Sequence, residues 1–351
     1  MSLAKSGHTV AASVRRWRPR AEPLSALEVA GINLEERWAS PFRKGQAVLN
    51  PPIQLISRMA FGQRLARQKP DLVCASLGSV MDDLSWVSAC SRTGAAYVLI
   101  IQAASESLWP NDDRALTLVE LCQKARKVFF VSEGNRSLLE IQLGVGLSNA
   151  EVVRNPFNVR SDASPPWPVK LEPVRLACVG RLDPDAKGQD LLFQVLASEQ
   201  WRSRDVILSI FGSGGMEQAM RRLAQRLGLD GRVKFCGHAK DIEGVWAEHH
   251  ALVMPSRFEG LPLAVVEAML CGRPAIVTDV AGNKEVVEDG VTGFVAEAPT
   301  KHHLSLAMER AWECRDNWQR VGQAAAAAIR KLVPPNPGEA FAVRLLELTG
   351  E

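Results

Sequence analysis

The stretch SRFEGLPLAVVEAML, residues 256–270, places Glu259 and Glu267 on either side of an apolar run that contains Pro262. The segment before it, HHALVMPS at residues 249–256, has the apolar character of a buried strand. Proline suits the first turn of a helix, because its missing N–H group costs nothing there. We therefore predict a strand that leads into a helix, with Glu259 in the connecting loop, Pro262 in the first helical turn and Glu267 in the second.

The start of that helix has the properties of a site for a ligand with both hydroxyl and phosphate groups. The backbone N–H groups of Gly260, Leu261 and Leu263 are predicted to be partly unsatisfied, and the helix dipole favours an anion near them. Gly260 has no side chain, so a ligand could approach its backbone closely. Acids near a helix start also stabilise the helix itself, and this loop alone leaves both interpretations open.

Short apolar segments and helical patterns alternate through both halves of the chain. The clearest strand candidates are VRLACVGRL, DVILSIFGSG, RVKFCGH, HALVMPS and RPAIVTDV in the second half, and HTVAASV, PDLVCASLG, AAYVLIIQ and KVFFVSE in the first. Nearly continuous apolar strands are typical of parallel sheets, which are buried on both faces. Repeated strand–helix units of this kind predict α/β domains with doubly wound parallel sheets.

The chain length of 351 residues favours two domains. A Pro- and Ser-rich segment that begins at residue 155 has no periodicity and is typical of a linker. We predict an N-terminal Rossmann-like domain at residues 1–158, a linker at 159–173, a C-terminal domain at 174–333 and a terminal helix at 334–351. In open α/β sheets ligands bind beyond the carboxyl ends of the strands, so we expect the site between the two domains.

The net charge of +3 is too small to indicate a nucleic-acid partner. The positive excess lies in the first half, where residues 1–165 hold 20 basic and 15 acidic side chains. That half includes the run VRRWRPR at residues 14–20, which is either an exposed basic loop or a contact for an acidic partner or an anionic membrane surface.

The seven cysteines are scattered, with no CxxC pair and no histidine in ligand spacing, which predicts buried reduced thiols and no metal site. The pairs His249–His250 and His302–His303 are expected on the surface, at helix ends. The longest apolar run, AAYVLIIQAA, has about half the length that a bilayer requires, and the N-terminus lacks the apolar region of a signal peptide. We expect a cytoplasmic protein and leave open a peripheral contact with the inner membrane surface.

Three more loops of the second half follow strands and suit a nucleotide diphosphate. GRLDPDAKGQDLL contains Arg181 and Lys187, two cations that suit phosphate oxygens. IFGSGG contains Gly212 and Gly214, and TDVAGNKEVVEDGVTGF has Gly282 where a strand ends. Surface charge or a plain turn explains each of these signals equally well when it is taken alone. All of them lie at the carboxyl ends of strands of one domain, where one ligand could contact them together.

A resemblance to a known family rests on three stretches: GRLDPDAKGQDLL, FGSGG and, above all, SRFEGLPLAVVEAMLCGRPAIVTDVAGNKEVVEDGVTGF. They resemble the donor domain of retaining GT-B glycosyltransferases of family 4, the glycosyl transferases group 1. The resemblance is strong over residues 174–295 and loose in the first half. It implies an α/β protein of two Rossmann-like doubly wound domains that face each other across a cleft.

The activity that this resemblance implies is transfer of a sugar from a nucleotide-sugar donor to an unidentified acceptor, with retention of anomeric configuration. The implied setting is polysaccharide or glycoconjugate biosynthesis, and the acceptor would be a glycan, a lipid-linked compound or a small molecule. Neither a metal nor a cofactor is expected, because cationic side chains and helix N-termini meet the charge of the leaving diphosphate.

The same resemblance assigns roles to individual residues. Arg181, Lys187 and Glu259 would form the catalytic core, the two cations on the donor diphosphate and the carboxylate on sugar hydroxyls near the anomeric centre. Glu267 would bind the ribose hydroxyls of the nucleotide, and Asp241 with its neighbours would lie near the base. The other expected donor-binding positions are Gly212, Gly214, Gly260, Leu261 and Leu263.

The first half departs from the family pattern in two places. Its opening, MSLAKSGHTVAASV, matches the end of the first helix and the second strand, so a first strand and Gly-rich loop of about 25 residues are expected to be missing. That strand is normally central in the sheet, and its loss would leave two inner edges unpaired. Many family members also carry a histidine near the reacting sugar, where this chain has Gln102, a candidate for the acceptor side.

Three alternatives compete with sugar transfer. A non-catalytic relative would bind a nucleotide-sugar or a glycan without turnover, which the departures in the first half motivate. A GT-B sugar-nucleotide epimerase would change the donor without an acceptor, although the pattern from EGLP to EAM favours transfer. Glycoside hydrolysis also uses two carboxylates, but it requires no phosphate-binding loops and is set aside.

Overall fold

The computed structural model of the chain describes residues 1–16, 20–21, 23–37, 51–169 and 172–350, and of residues 15, 37 and 51–58 it describes the backbone only. Residues 17–19 of the basic run and residues 170–171 of the predicted linker lie outside these ranges.

The described part of the first half contains the strands β1 (Ala11–Arg15), β2 (Asn33–Arg37), β3 (Val73–Leu77), β4 (Tyr97–Ile101), β5 (Val128–Phe130) and β6 (Ala150–Val152). Its helices are α1 (Ser2–Lys5), α2 (Pro23–Val29), α3 (Pro51–Gln68), α4 (Ser85–Thr93), α5 (Asp112–Lys124) and α6 (Glu133–Leu143). Four of the strands form a parallel sheet in the order β3-β4-β5-β6. Its central strands are nearly continuous apolar runs with helices between them, as the sequence pattern predicted.

The strands of the first half are divided between two sheets. β1 pairs with β2 in a two-stranded parallel sheet, whereas β3 pairs with β4. Within the described ranges no strand joins β1 to β3, and the sequence predicted such open inner edges. Cys74 and Ser76 on β3 are exposed, whereas Leu99 and Ile101 on β4 are fully buried. β3 is therefore an edge strand of its sheet.

The second half forms one six-stranded parallel sheet in the order β12-β11-β10-β7-β8-β9. Its strands are β7 (Val174–Val179), β8 (Val206–Phe211), β9 (Val233–Gly237), β10 (Ala251–Met254), β11 (Ala275–Thr278) and β12 (Gly293–Ala296). Its helices are α7 (Pro184–Lys187), α8 (Gln189–Leu196), α9 (Glu199–Arg202), α10 (Glu217–Arg226), α11 (Ile242–Glu248), α12 (Leu263–Leu270), α13 (Asn283–Val286), α14 (Lys301–Glu313), α15 (Trp318–Leu332) and α16 (Pro337–Glu347), with a 3₁₀ turn at Arg315–Asn317. No helix in the described ranges is long and apolar enough to cross a membrane.

Apolar clusters cover both faces of the six-stranded sheet. Alternate residues of β7 point to opposite faces. Leu176 and Cys178 pack in one cluster with Trp201, whereas Ala177 packs in the other with Trp246. This double coverage is the reason that the strands of the second half read as nearly continuous apolar runs.

The terminal helix α16 packs on the sheet of the first half. The rings of Phe341 and Phe129 meet edge to face with centroids 5.1 Å apart, and Leu345 is buried in the same cluster. Arg344 forms an ion pair of 2.9 Å with Glu151 on β6. The end of the described chain thus contacts the first half rather than the sheet that precedes it.

The prediction of buried cysteines holds for four positions, Cys90, Cys122, Cys178 and Cys271. Burial raises the pKa of the Cys178 thiol to about 12. The prediction is wrong for Cys74, Cys236 and Cys314, which are exposed. Two of these three lie on β3 and β9, the edge strands of their sheets, where one side of the strand lacks cover.

The prediction that His249 and His250 lie on the surface is also wrong, since both are buried at the start of β10. Nδ1 of His249 lies 2.7 Å from the Val245 carbonyl oxygen, and burial lowers the pKa of this imidazole. The backbone N–H of Arg175 donates to Nδ1 of His250 at 3.0 Å. These contacts connect the start of β10 to α11 and to β7.

Candidate functional site

The order of the six-stranded sheet reverses at β7, and the carboxyl ends of β7 and β10 open into a cavity of about 510 Å³. Such a switch point is where open α/β sheets bind ligands. The first half and the interdomain segment contribute Gly78, Gln102, Ala103, Asn155 and Asn158 to the lining. The second half contributes, among others, Gly180, Arg181, Lys187, Gly212, His238, Glu259, Gly260, Leu261, Leu263 and Glu267. The structure therefore brings the predicted catalytic core into one cavity between the two halves.

The loop after β10 is held by its own side chains. Ser256 is fully buried, and its carbonyl oxygen accepts a hydrogen bond of 2.6 Å from Oγ1 of Thr278. Arg257 forms a bidentate ion pair with Asp190 at 2.6 and 2.9 Å. Bidentate pairs fix orientation as well as position, so the backbone that leads to Glu259 is anchored.

Glu259 is buried, with 7% of its surface exposed. Its Oε1 accepts hydrogen bonds from Nζ of Lys187 at 2.5 Å and from Oγ of Ser256 at 2.7 Å. Lys187 ends the short helix α7, and its side chain is largely buried beside the carboxylate. The residue predicted to bind the sugar and one of the residues predicted to bind phosphate therefore form an ion pair with each other.

Gly260 is a point of close backbone approach between the two halves. A Cβ atom at this position would lie 1.9 Å from the Gln102 carbonyl oxygen, so only glycine fits. Ala104 and Glu259 form an isolated antiparallel bridge beside it. The loop after β4 and the loop after β10 are therefore in direct backbone contact.

Glu267 lies in the second turn of α12, as the sequence predicted, and only 3% of its surface is exposed. Its Oε1 accepts two hydrogen bonds from Asn158, one from the backbone N–H at 2.8 Å and one from Nδ2 at 2.9 Å. Burial raises the pKa of Glu267, and the two bonds from Asn158 act in the opposite direction.

The start of α12 differs in one detail from the prediction. Pro262 is the N-cap, with φ −67° and ψ 123°, and the helix begins at Leu263. The expectation that Pro262 lies in the first helical turn is therefore wrong by one position. The fixed φ of proline suits both positions, whereas its extended ψ excludes it from the helix itself.

Arg181 and the two glycines of the neighbouring loop lie at the ends of β7 and β8. The Arg181 side chain is 73% exposed and lies 3.9 Å from Asp183. Gly212 has a φ of 130°, and a Cβ atom on it would lie 2.0 Å from the Gly180 carbonyl oxygen. A Cβ atom on Gly214 would lie 2.4 Å from the Leu182 carbonyl oxygen. These two glycines let the loops pack backbone to backbone while Arg181 extends into solvent.

Asp241 caps α11, since its side chain accepts the Gly244 N–H at 2.9 Å. It lines a neighbouring hollow of about 420 Å³, whereas His238 and Ala239 line the main cavity. The expected contact of Asp241 and its neighbours with the base stays a prediction.

Gln102 lies on the first-half side of the cavity. Its Oε1 accepts a hydrogen bond of 2.8 Å from Nδ2 of Asn155, and its Nε2 donates to Oγ of Ser76 at 3.3 Å. The amide therefore connects β3 to the segment between the two halves.

The polar side chains of this site that sequence reasoning missed include Asn155, Asn158, His238 and Ser256. Ser256 is the first residue of the stretch that decided the fold, and its spacing of three residues from Glu259 is a readable signal. The two asparagines lie in a segment without periodicity, which offered no signal. In the described ranges, no group of three or more His, Cys, Asp or Glu side chains is placed to hold a metal ion.

Part of the second half is similar to a known family. Residues 173–313 match the family model of Glycosyl transferases group 1. This region includes Arg181, Lys187, Glu259 and Glu267.

Two relatives illustrate the range of sequence similarity. A GDP-mannose-dependent alpha-(1-6)-phosphatidylinositol monomannoside mannosyltransferase of Mycolicibacterium smegmatis is 30% identical over 243 residues, which cover 62% of this chain and 61% of the relative. An uncharacterized glycosyltransferase of Haemophilus influenzae is 34% identical over 129 residues, or 36% of each chain. The chain thus matches between about a third and three-fifths of the length of these curated relatives.

Solved structures show the fold of the whole chain. Anabaena HepE in complex with UDP superposes with a TM-score of 0.74 at 19% identity, covering 97% of this chain and all of HepE. Sucrose-phosphate synthase from Thermosynechococcus elongatus gives a TM-score of 0.75 at 18% identity, covering 99% and 90%. The fold is α/β GT-B, with two Rossmann-like domains, as predicted.

Proposed function

We propose that the protein transfers a sugar from a nucleotide-sugar donor to an acceptor hydroxyl. The observation that supports this proposal most is the convergence of Glu259, Lys187, Arg181 and Glu267 in one cavity between two Rossmann-like halves. The group 1 domain supports it independently. By the same resemblance we propose membership of family 4 and retention of anomeric configuration.

The geometry suggests how the donor would be held. Arg181 extends from the end of β7 and can reach a diphosphate through its guanidinium fork. Lys187 is paired with Glu259, and a diphosphate would offer its ammonium group a stronger anionic partner. Once Lys187 turns to the diphosphate, Glu259 can accept hydrogen bonds from sugar hydroxyls. Glu267, in the second turn of α12, would accept the ribose hydroxyls.

Charge development on the leaving diphosphate would be met by Arg181, Lys187 and the backbone N–H groups at the start of α12. We propose that no metal ion is needed, because these groups supply the positive charge. Gln102, on the opposite wall, is our candidate for contact with the acceptor.

The acceptor proposed here is a glycan, a lipid-linked compound or a small molecule in polysaccharide or glycoconjugate biosynthesis. Cytoplasmic placement, with peripheral contact at the inner membrane surface through the basic first half, belongs to the same proposal. The names of the relatives support it, since one of them is a phosphatidylinositol monomannoside mannosyltransferase.

The test is a thermal-shift screen with nucleotide-sugars, followed by turnover. UDP-glucose and GDP-mannose are suitable first probes, because a ligand that binds only the folded state raises the unfolding temperature. Release of UDP or GDP that depends on an added glycan or lipid acceptor supports transfer. Epimerisation of the donor without any acceptor would favour the epimerase alternative.

One observation favours a second candidate, binding without turnover. The strands of the first half are divided between two sheets in the described ranges, and the acceptor side of the cavity is formed by residues that follow β4 and the edge strand β3. Donor binding without release of nucleotide in the presence of any acceptor would favour this candidate over transfer.

A further inference from the structure

Asn158 lies in the segment between β6 and β7, which has neither helix nor strand among its described residues. Although 109 positions separate it from Glu267, both its backbone N–H and its Nδ2 donate to Oε1 of that carboxylate. The two distances, 2.8 and 2.9 Å, are those of well-formed hydrogen bonds to a charged acceptor. One oxygen of Glu267 thus accepts two hydrogen bonds from the interdomain segment.

The surroundings of Glu267 explain why two donors matter. Only 3% of the Glu267 surface is exposed, and a buried charge is costly unless it is hydrogen-bonded. In the described part of the chain, Asn158 supplies the hydrogen bonds that lower the pKa of Glu267 against the effect of burial. The hydrogen bonds that favour the charged form of Glu267 therefore come from a neutral residue outside the second-half sheet.

We infer that Asn158 is a positioning residue for nucleotide binding, which fixes Oε1 of Glu267 so that Oε2 accepts the ribose hydroxyls. The inference rests on the proposed function, in which Glu267 binds the ribose. Both residues line the same cavity, so the fixed carboxylate borders the space that a nucleotide would fill. A carboxylate held by two donors loses little freedom when its second oxygen binds a ligand.

Asp162 provides a control on the same segment. It lies four positions after Asn158, its side chain is 83% exposed, and it lies 3.8 Å from Arg160. It does not line the cavity that contains Glu267. A general effect of altering this segment would therefore appear in both variants, whereas an effect through Glu267 would appear only in the Asn158 variant.

The experiment titrates UDP and GDP by calorimetry into the wild type and into Asn158→Ala, Asp162→Ala, Glu267→Gln and the double variant Asn158→Ala/Glu267→Gln. We expect Asn158→Ala to bind the preferred nucleotide about fivefold more weakly, which is less than the loss of a whole hydrogen bond to a charged group because the backbone donor remains. Asp162→Ala should stay within about twofold of the wild type. The double variant should bind no more weakly than Glu267→Gln, since coupled residues are not additive.

A second variant distinguishes the loss of the hydrogen bond from the loss of side-chain packing. Asn158→Asp keeps the size of the side chain but replaces its donor by an acceptor that faces Oε1, so we expect a larger loss than for Asn158→Ala. Thermal unfolding of each variant shows that it is folded.

Wild-type affinity in Asn158→Ala and Asn158→Asp, or independent and additive losses in the double variant, would overturn the inference while Glu267→Gln still weakens binding. If the wild type binds neither UDP nor GDP, the proposed function falls as well.

Discussion

Glu259 and Glu267 lie eight positions apart, and both are buried in the same cavity, yet their charges are satisfied in different ways. Glu259 is paired with a cation of its own domain, Lys187, and accepts a second bond from Ser256. Glu267 accepts two bonds from a neutral residue of the interdomain segment, Asn158. An ion pair can be exchanged when an anionic ligand competes for the cation, whereas neutral donors stay with their carboxylate.

This difference assigns the two acids to different parts of the site. The region around Glu259 is expected to reorganise when a diphosphate attracts Lys187. The region around Glu267 is held before any ligand arrives. We therefore propose that sugar chemistry belongs to the part that changes, and nucleotide recognition to the part that is fixed.

The largest effect is expected for Glu259→Gln. Loss of the charge near the anomeric centre should reduce turnover by about 100-fold or more, a size typical of a lost electrostatic group in an active site. Binding of free UDP or GDP should not weaken, because neither contains the sugar and because loss of the Glu259 charge releases Lys187 for the diphosphate. Release of nucleotide from UDP-glucose or GDP-mannose measures the first quantity, and calorimetry the second. Unchanged turnover would remove Glu259 from the reaction.

Arg181→Ala and Lys187→Ala should each weaken binding of free nucleoside diphosphate by about 10- to 100-fold, or about 1.5–3 kcal/mol for a lost charge-assisted hydrogen bond. We expect the larger loss for Lys187→Ala, since it also leaves the buried Glu259 carboxylate without its cation. Lys124→Ala is the matched control, because Lys124 forms an exposed ion pair with Glu120 on α5. Wild-type affinity in both cavity variants, measured by calorimetry, would refute the diphosphate assignment.

Glu267→Gln should weaken binding of free UDP or GDP by about tenfold, the equivalent of one hydrogen bond to a charged group. The amide keeps an oxygen for Asn158 but presents a donor where the ribose hydroxyl needs an acceptor. Calorimetry with the free nucleotide checks this expectation, and wild-type affinity would show that the ribose lies elsewhere.

The smallest effect is expected for metal removal. EDTA should leave turnover unchanged, since Arg181, Lys187 and the helix start supply positive charge to the diphosphate. The measurement compares initial rates with EDTA and with added magnesium or manganese. Strict dependence on either ion would contradict the site as proposed.

Much of the second half could be predicted from its sequence, because its strands are covered on both faces. β7, β8, β10 and β11 are short apolar runs between turn residues, so their positions were readable. Lys187 and Glu259 could be predicted to lie in one site, because the carboxyl ends of the strands of a parallel sheet lie at the same edge. β2, with the sequence NLEER, was not predicted, because a polar strand in a two-stranded sheet has no apolar pattern.

The unpredicted contacts connect distant segments. Asn158 reaches Glu267 across 109 positions from a segment without periodicity, and no local pattern encodes such a contact. Asp241 was expected near the base, but its spacing of three residues from the Gly244 N–H also fits a helix cap, and the structure shows that cap. Local sequence thus predicts which strand ends carry polar groups better than it predicts which partners those groups find.

The division of roles between the two glutamates is tested most directly by calorimetry of Glu259→Gln and Glu267→Gln side by side, with a free nucleotide and the corresponding nucleotide-sugar. The pairs UDP with UDP-glucose and GDP with GDP-mannose serve as probes. We predict that Glu259→Gln weakens binding of the nucleotide-sugar only. Glu267→Gln should weaken binding of the nucleotide and of the nucleotide-sugar by the same factor. Equal losses of free-nucleotide affinity in the two variants would contradict this division.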